Sequence, residues 1–197
     1  MSKRIVSLII VSLFLMHTGT AAACVGRILY LGALQSNGDK LISEMLALLI
    51  NERTGTTIQI RSFDTADQLY NALKSSKEEE RVDIIVENTV QALAIAKQTA
   101  GASPDQDFLT VKAFYEKELD VVWLNPFGYN TNAAQPSISA PLIRRDVLTN
   151  FPLLPRVLNK LAGAINDKAF QDLIKALDSG EKPKNAAKDF LKKQKLI

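Results

Sequence analysis

Histidine and cysteine are almost absent from this chain. It has one of each, His17 and Cys24, and both lie at its apolar N-terminal end. Beyond residue 24 there is neither, which excludes Ser-His-Asp and Cys-His catalysis, histidine-based zinc sites and a histidine proton shuttle. A lone cysteine has no internal partner, so the fold must stand on its core without a disulfide. Aromatic residues make up only 7% of the sequence and Trp123 is the single tryptophan, so a site built on rings has few to draw on. Charge of one sign is lacking too: 24 basic residues face 21 acidic ones. That balance gives no support to nucleic-acid binding, which needs a basic surface over much of a domain. The sequence shows no internal repeat and no low-complexity tract.

The long apolar run of a membrane span is missing as well. Residues 5–16 are nearly all apolar but too few to cross a bilayer comfortably. Lys3 and Arg4 precede them and Ala21, Ala22 and Ala23 follow, which together read as an export signal over 1–23 ahead of a domain over 24–197. Cys24 directly after the small residues suggests lipid anchoring as the alternative to soluble export. Against it, Ala21 stands where a lipobox carries Leu.

What is present is an alternation of apolar β-rich runs with helical periodicity, the mark of an α/β domain with a mainly parallel sheet. Strands are expected at 28–31, 57–63, 82–87 and 121–124, with a return strand at 138–143. Helices are expected at 39–53, from Thr65 through Leu73, at 89–100 and from Ser103-Pro104, and then at 146–150, 153–162, 167–177 and 183–195. The helix over 39–53 has an unusually wide apolar stripe.

Three features could carry chemistry. Asp83 and Glu87 lie four apart on a strand and so on one face. They make either an acid/base pair or, more simply, the polar ends of a strand. The loop from Gly32 to Lys40 sits between a strand and a helix, but its glycine spacing is wrong for a phosphate loop, which rules out nucleotide binding. It reads as an ordinary turn or as a set of amides that can hold an anionic group. Trp123, Phe127 and Tyr129 alternate, so an extended backbone would turn them to one side. They form either part of a cage for a quaternary ammonium or ordinary core.

Five segments in order resemble the substrate-binding proteins of glycine betaine/choline (osmoprotectant) ABC transporters. They are the loop and helix from Gly32 to Leu49, with Glu44-Met45-Leu46-Ala47; Val82-Asp83-Ile84-Ile85-Val86-Glu87-Asn88-Thr89, similar to the family's ID-x-Y-P-E-Y-T-G; and Val122-Trp123-Leu124-Asn125-Pro126-Phe127-Gly128-Tyr129-Asn130, similar to V-W-L-x-P-x-G-F-N. The helical return from Arg145-Asp146-Val147-Leu148 to Gly163 and the closing helix at Ala186-Ala187-Lys188-Asp189-Phe190-Leu191 complete the set. The resemblance implies one α/β lobe of the type II periplasmic-binding class. It also implies ligand contacts from Glu87, Asn88, Trp123, Phe127, Tyr129 and Asn130, no metal, no cofactor and a non-enzymatic role in the periplasm.

In that family a second lobe lies between the last strand pair, where this chain has only a lobe-exchange loop over 129–139. Asn88 also stands where the family has Tyr, and Val90 where it has Gly. The implied partners are a quaternary-amine small molecule, an ABC permease, a separate chain supplying the second lobe, or a second copy in a homodimer. The alternative is a periplasmic protein-interaction module that kept the scaffold and lost its ligand. A carboxylate-dependent hydrolase is the remaining class, and no constellation of residues supports it.

Overall fold

The computed structural model describes residues 28–130 and 135–197, with the side chains of Tyr129 and Asn130 left out. The export signal, Cys24 and most of the loop over 129–139 lie outside the described residues.

Six strands form one sheet: β1 (Ile28–Leu34), β2 (Thr57–Phe63), β3 (Ile84–Asn88), β4 (Val121–Trp123), β5 (Gly128–Asn130) and β6 (Ser137–Arg144). The order is β2-β1-β3-β6-β4, with β5 also paired to β6. β1 lies parallel to β2 and β3, and β6 runs antiparallel to β3, β4 and β5. The expected α/β architecture with one antiparallel return strand is what the chain adopts.

The two faces are set by strand alternation. Leu29, Leu31, Ile84 and Ile143 face one core, shared with α1 (Asn37–Thr54) and the C-terminal helices. Ile85, Val121, Trp123 and Leu142 face the other, shared with α2 (Ala66–Lys74), α3 (Thr89–Ala96) and α4 (Pro104–Glu118). The remaining helices are α5 (Arg145–Asn150), α6 (Leu154–Leu158) with a 3-10 turn at Asn159–Leu161, α7 (Asp167–Asp178) and α8 (Pro183–Lys193).

Local chemistry fixes most of the boundaries. Ser36, Thr65, Ser103 and Asn166 each accept a bond from the amide three residues on, so each starts its helix. α1 stops because Gly55 takes a left-handed conformation, φ 70°. α3 ends four residues before its expected end at 100, with Lys97 left-handed and Gln98 N–H donating to the Leu93 carbonyl at 2.9 Å. The wide stripe on α1 is accounted for by burial on two sides, since α8 packs on α1 through Ala186, Ala187, Phe190 and Leu191. It therefore lends no weight to the interaction-module alternative.

The segment around Asn125-Pro126 departs from expectation. β4 and β5 pair with the same strand, yet five steps from Trp123 to Gly128 match three from Leu142 to Ser139. The extra backbone bulges at Leu124–Phe127, where Pro126 has no N–H for the ladder. Trp123 consequently faces the α2–α4 side, while Leu124 and Phe127 face the α1 side. The three rings expected on one side are thus divided. β5 then pairs Asn130 with Ser137, so only residues 131–136 connect it to β6, and no second lobe enters there.

The lysine-rich end follows its amphipathic pattern. Phe190 is buried and the six lysines from 182 to 195 are exposed. The protein without its N-terminal segment is expected to bind anionic vesicles only at low salt. Binding that persisted in high salt would show insertion rather than a screened electrostatic contact.

Candidate functional site

β1 and β3 are the point where chain connections diverge. From β1 the chain crosses by α1 to β2 on one side, and from β2 it returns by α2 to β3 on the other, with the two helices on opposite faces. In open α/β sheets the crevice beyond the carboxyl ends of such strands is where ligands bind. A cavity of about 430 Å³ lies there, within the usual range for small-molecule sites.

Its floor is the end of β1 at Gly32 to Leu34 and the end of β3 at Val86, Glu87 and Asn88. Three helices begin at its rim: α1 brings Ser36 and Asp39, α3 brings Val90 and Gln91, and α7 brings Asp167, Phe170 and Gln171. The hairpin of β5 and β6 closes another side with Phe127, Gly128, Ser137 and Ser139. Gly128 is required there, because a Cβ would lie 2.5 Å from the Ile165 carbonyl oxygen. That close approach seats the segment leading into α7 against the hairpin, with Ile165 N–H donating to the Phe127 carbonyl at 3.0 Å. α7 is tied to the start of α1 as well, by Asn37 Nδ2 donating to Asp178 Oδ1 at 3.1 Å.

The electrostatic character is one-sided. Asp39, Glu87 and Asp167 line the cavity, and its described lining contains no lysine, arginine or histidine. Helix N-termini attract anions, but α1 and α7 each carry an acid in the first turn that offsets this. At the start of α1 the Ser36 hydroxyl donates to Asp39 Oδ2 at 2.5 Å and accepts from the Asp39 amide at 3.1 Å.

Glu87 is the least ordinary residue of the site. It is 4% exposed, with Oε1 accepting from the Asn88 amide at 2.8 Å and Oε2 from the Tyr70 hydroxyl at 2.7 Å. The Tyr70 and Tyr115 hydroxyls lie 2.6 Å apart, and that of Tyr115 donates to the Ala92 carbonyl at 3.4 Å. Burial pushes the Glu87 carboxyl up to about 7, although the bonds from Tyr70 and Asn88 pull the other way. Burial also raises both tyrosines far above their ordinary range. Asp83, at the other end of β3, has a different setting. It accepts from the Tyr30 amide at 2.8 Å, and Arg81 Nε lies 3.1 Å away. The two acids share a strand face but serve its two ends, and they do not converge as a catalytic pair.

A raised carboxyl has a definite consequence for stability. The folded state holds the Glu87 proton more tightly than the unfolded chain, so this group favours folding below about pH 4.5. The benefit is lost as pH rises through about 7, at a cost on the order of 3 kcal/mol. Burial raises Asp83 as well, so its effect runs in the same direction. Glu87→Gln is expected to flatten part of the fall in stability between pH 5 and pH 8, measured by urea unfolding. An unchanged slope would show that the group titrates normally.

Of the residues expected at the site, Glu87, Asn88 and Phe127 line the cavity. Trp123 does not. It is 1% exposed on the opposite face, edge-on to Phe108 and Tyr115 at 5.6 Å from each. The side chains of Tyr129 and Asn130 lie outside the described residues. Asn88 caps α3, its Oδ1 accepting from Gln91 N–H at 3.0 Å. Phe170, Asp167 and Gln91 were not foreseen, since periodicity alone gives Phe170 as one more apolar position on an amphipathic helix. Among the described residues no cluster is arranged to hold a metal ion, and no helix is long and apolar enough to cross a membrane.

Fold and cleft together define an α/β domain with a ligand-sized cavity beyond the carboxyl ends of its central strands. No protein-family model and no curated protein matches the sequence. Solved structures do. A glycine betaine/carnitine/choline ABC transporter structure matches with a TM-score of 0.75 at 16% identity, over 86% of this chain and 98% of that one. Apo YehZ from Escherichia coli matches with a TM-score of 0.76 at 14% identity, over 87% of this chain and 100% of the other. Lactococcal OpuAC, closed on glycine betaine, is more distant, with a TM-score of 0.50 at 10% identity over 86% and 96%. At these identities the likeness is one of fold.

Proposed function

We propose that the protein is an exported, non-enzymatic binding protein related to the substrate-binding component of quaternary-amine ABC transport, reduced to a single lobe that takes a small organic cation. One observation carries this reading: three carboxylates, one of them buried at Glu87, line a cavity whose described walls hold no positive side chain. Such a lining favours a positively charged guest. Phe127 and Phe170 supply apolar ring surface beside the acids, as ammonium recognition requires. The solved structures of like fold include one described as complexed with glycine betaine.

Affinity is expected to be low. Cation–π contacts contribute about 0.5–1 kcal/mol each when exposed and about 2 when desolvated. Two rings on one lobe fall well short of the roughly 8 kcal/mol of a micromolar complex. A second copy, a separate lobe protein or a permease docked over the cleft would supply the missing wall. Isothermal calorimetry on the monomer should give millimolar binding for choline, and no better than millimolar for glycine betaine and proline betaine, whose own carboxylates meet an acidic lining. The uncharged isostere of choline, 3,3-dimethylbutanol, should bind much more weakly. Equal binding of the isostere would show that charge plays no part and would defeat the reading.

A further inference from the structure

We propose that the cavity exchanges its cationic ligand for a proton held on Glu87, so that binding expels the proton and acid releases the ligand. The proposal rests on the reading of the cavity as a cation site. It follows from the contrast between the buried acids at the two ends of β3, Asp83 just before it and Glu87 within it. Asp83 has the Arg81 guanidinium 3.1 Å away and feels Arg144 as well. Glu87 has no cation among the groups that act on it. From α2 it meets Tyr70; through Tyr70 it is linked to Tyr115 of α4; α1 presents Asp39, which disfavours its charge; and Asp167 of α7 lies on the same cavity. A carboxylate in that setting needs either a proton or a positive guest.

The bonding around Glu87 suits both states without movement of heavy atoms. With the carboxylate ionised, Tyr70 donates to Oε2 and Tyr115 donates to Tyr70 or to the Ala92 carbonyl. With Oε2 protonated, the O–H directions reverse: Glu87 donates to Tyr70, Tyr70 to Tyr115, and Tyr115 to Ala92. No donor in the chain is left unpaired in either state. Oε1 meanwhile stays on the amide of Asn88, whose residue forms the cavity wall and caps α3. Glu87 and Asn88 thus both border the cavity, with the carboxyl held to the Asn88 amide. When a cation enters, the O–H bond of Glu87 breaks, the electron pair stays on the carboxylate, and the proton passes to bulk water. Burial places the group near 7 in the empty protein, so both states are available at neutral pH.

Binding restricted to the ionised form weakens about tenfold per pH unit below that value, or about thirtyfold between pH 8 and pH 5.5. The test is a carboxyl-carbon NMR titration of Glu87 in the intact protein, with and without saturating choline. Proton release is measured in parallel by calorimetry in buffers of different ionisation enthalpy. The expected result is a midpoint near neutrality that moves to lower pH with choline, together with net proton release at pH 6 that vanishes at pH 8. Glu87→Gln should bind choline with no pH dependence over this range. Choline binding with an unmoved Glu87 midpoint and no proton release would overturn the exchange while leaving the cation site standing. Failure of choline to bind at any pH would overturn both.

Discussion

Trp123→Ala is expected to lower stability by about 3–5 kcal/mol while leaving choline affinity within a factor of two. The ring is 1% exposed and packs edge-on against Phe108 and Tyr115, so its removal opens a cavity in the α2–α4 core. It does not border the cleft. For a chain of this length the melting temperature should fall by roughly 10 °C. Trp123→Phe should cost far less. It keeps an aromatic body in the same slot, and it removes an indole N–H that has no hydrogen-bond partner. Such an orphaned donor carries a penalty of about 1–3 kcal/mol in the native protein. A large loss of affinity in a Trp123→Ala protein that remained folded would mean that the ring reaches the ligand after all.

Removal of α7 and α8, from Asp167 onward, is expected to have a larger effect still. α1 is packed between the sheet on one side and α8 on the other, and Leu41, Met45, Leu46, Leu49 and Ile50 are all fully buried. Without the last helix, the surface now covered by Ala186, Ala187, Phe190 and Leu191 is exposed as one apolar patch. The truncated chain should aggregate, bind hydrophobic dye and show no cooperative thermal transition. Phe190→Ala in the full chain is the milder version, folded but less stable. A truncated protein that stayed soluble with an unchanged melting temperature would contradict the two-sided burial of α1.

The elements governed by local rules were legible in the sequence. The bounds of β2, the serine and threonine caps, the proline at the start of α4 and the glycine stop of α1 all follow from side chains acting on their own backbone. The α/β class followed from periodicity. What escaped was set by tertiary contact. The bulge at Leu124–Phe127 divides Trp123 from Phe127, and strict alternation could not show it. β5 exists only because β6 offers it a partner. Glu87 reads as the polar end of a strand, yet it is buried: Tyr70, 17 residues before it on α2, bonds its carboxyl, and Tyr115 on α4, 45 residues beyond Tyr70, bonds Tyr70. Phe170 joins the site only through the docking of α7 on the start of α1, where its ring lies near Gly38. Three of the six residues that the motif resemblance implies, Glu87, Asn88 and Phe127, border the cavity, and its acidic rim at Asp39 and Asp167 has no signature in the sequence.

The measurement that bears most directly on the single-lobe cation site is an NMR titration of the nitrogen-15-labelled monomer with choline. The predicted result is a dissociation constant in the millimolar range, with amide shifts concentrated at Asp39, Asn88, Gln91 and Phe170. Asp39→Asn should weaken binding severalfold. Micromolar affinity in the monomer, or shifts that spread over a surface remote from the carboxyl ends of β1 and β3, would contradict it.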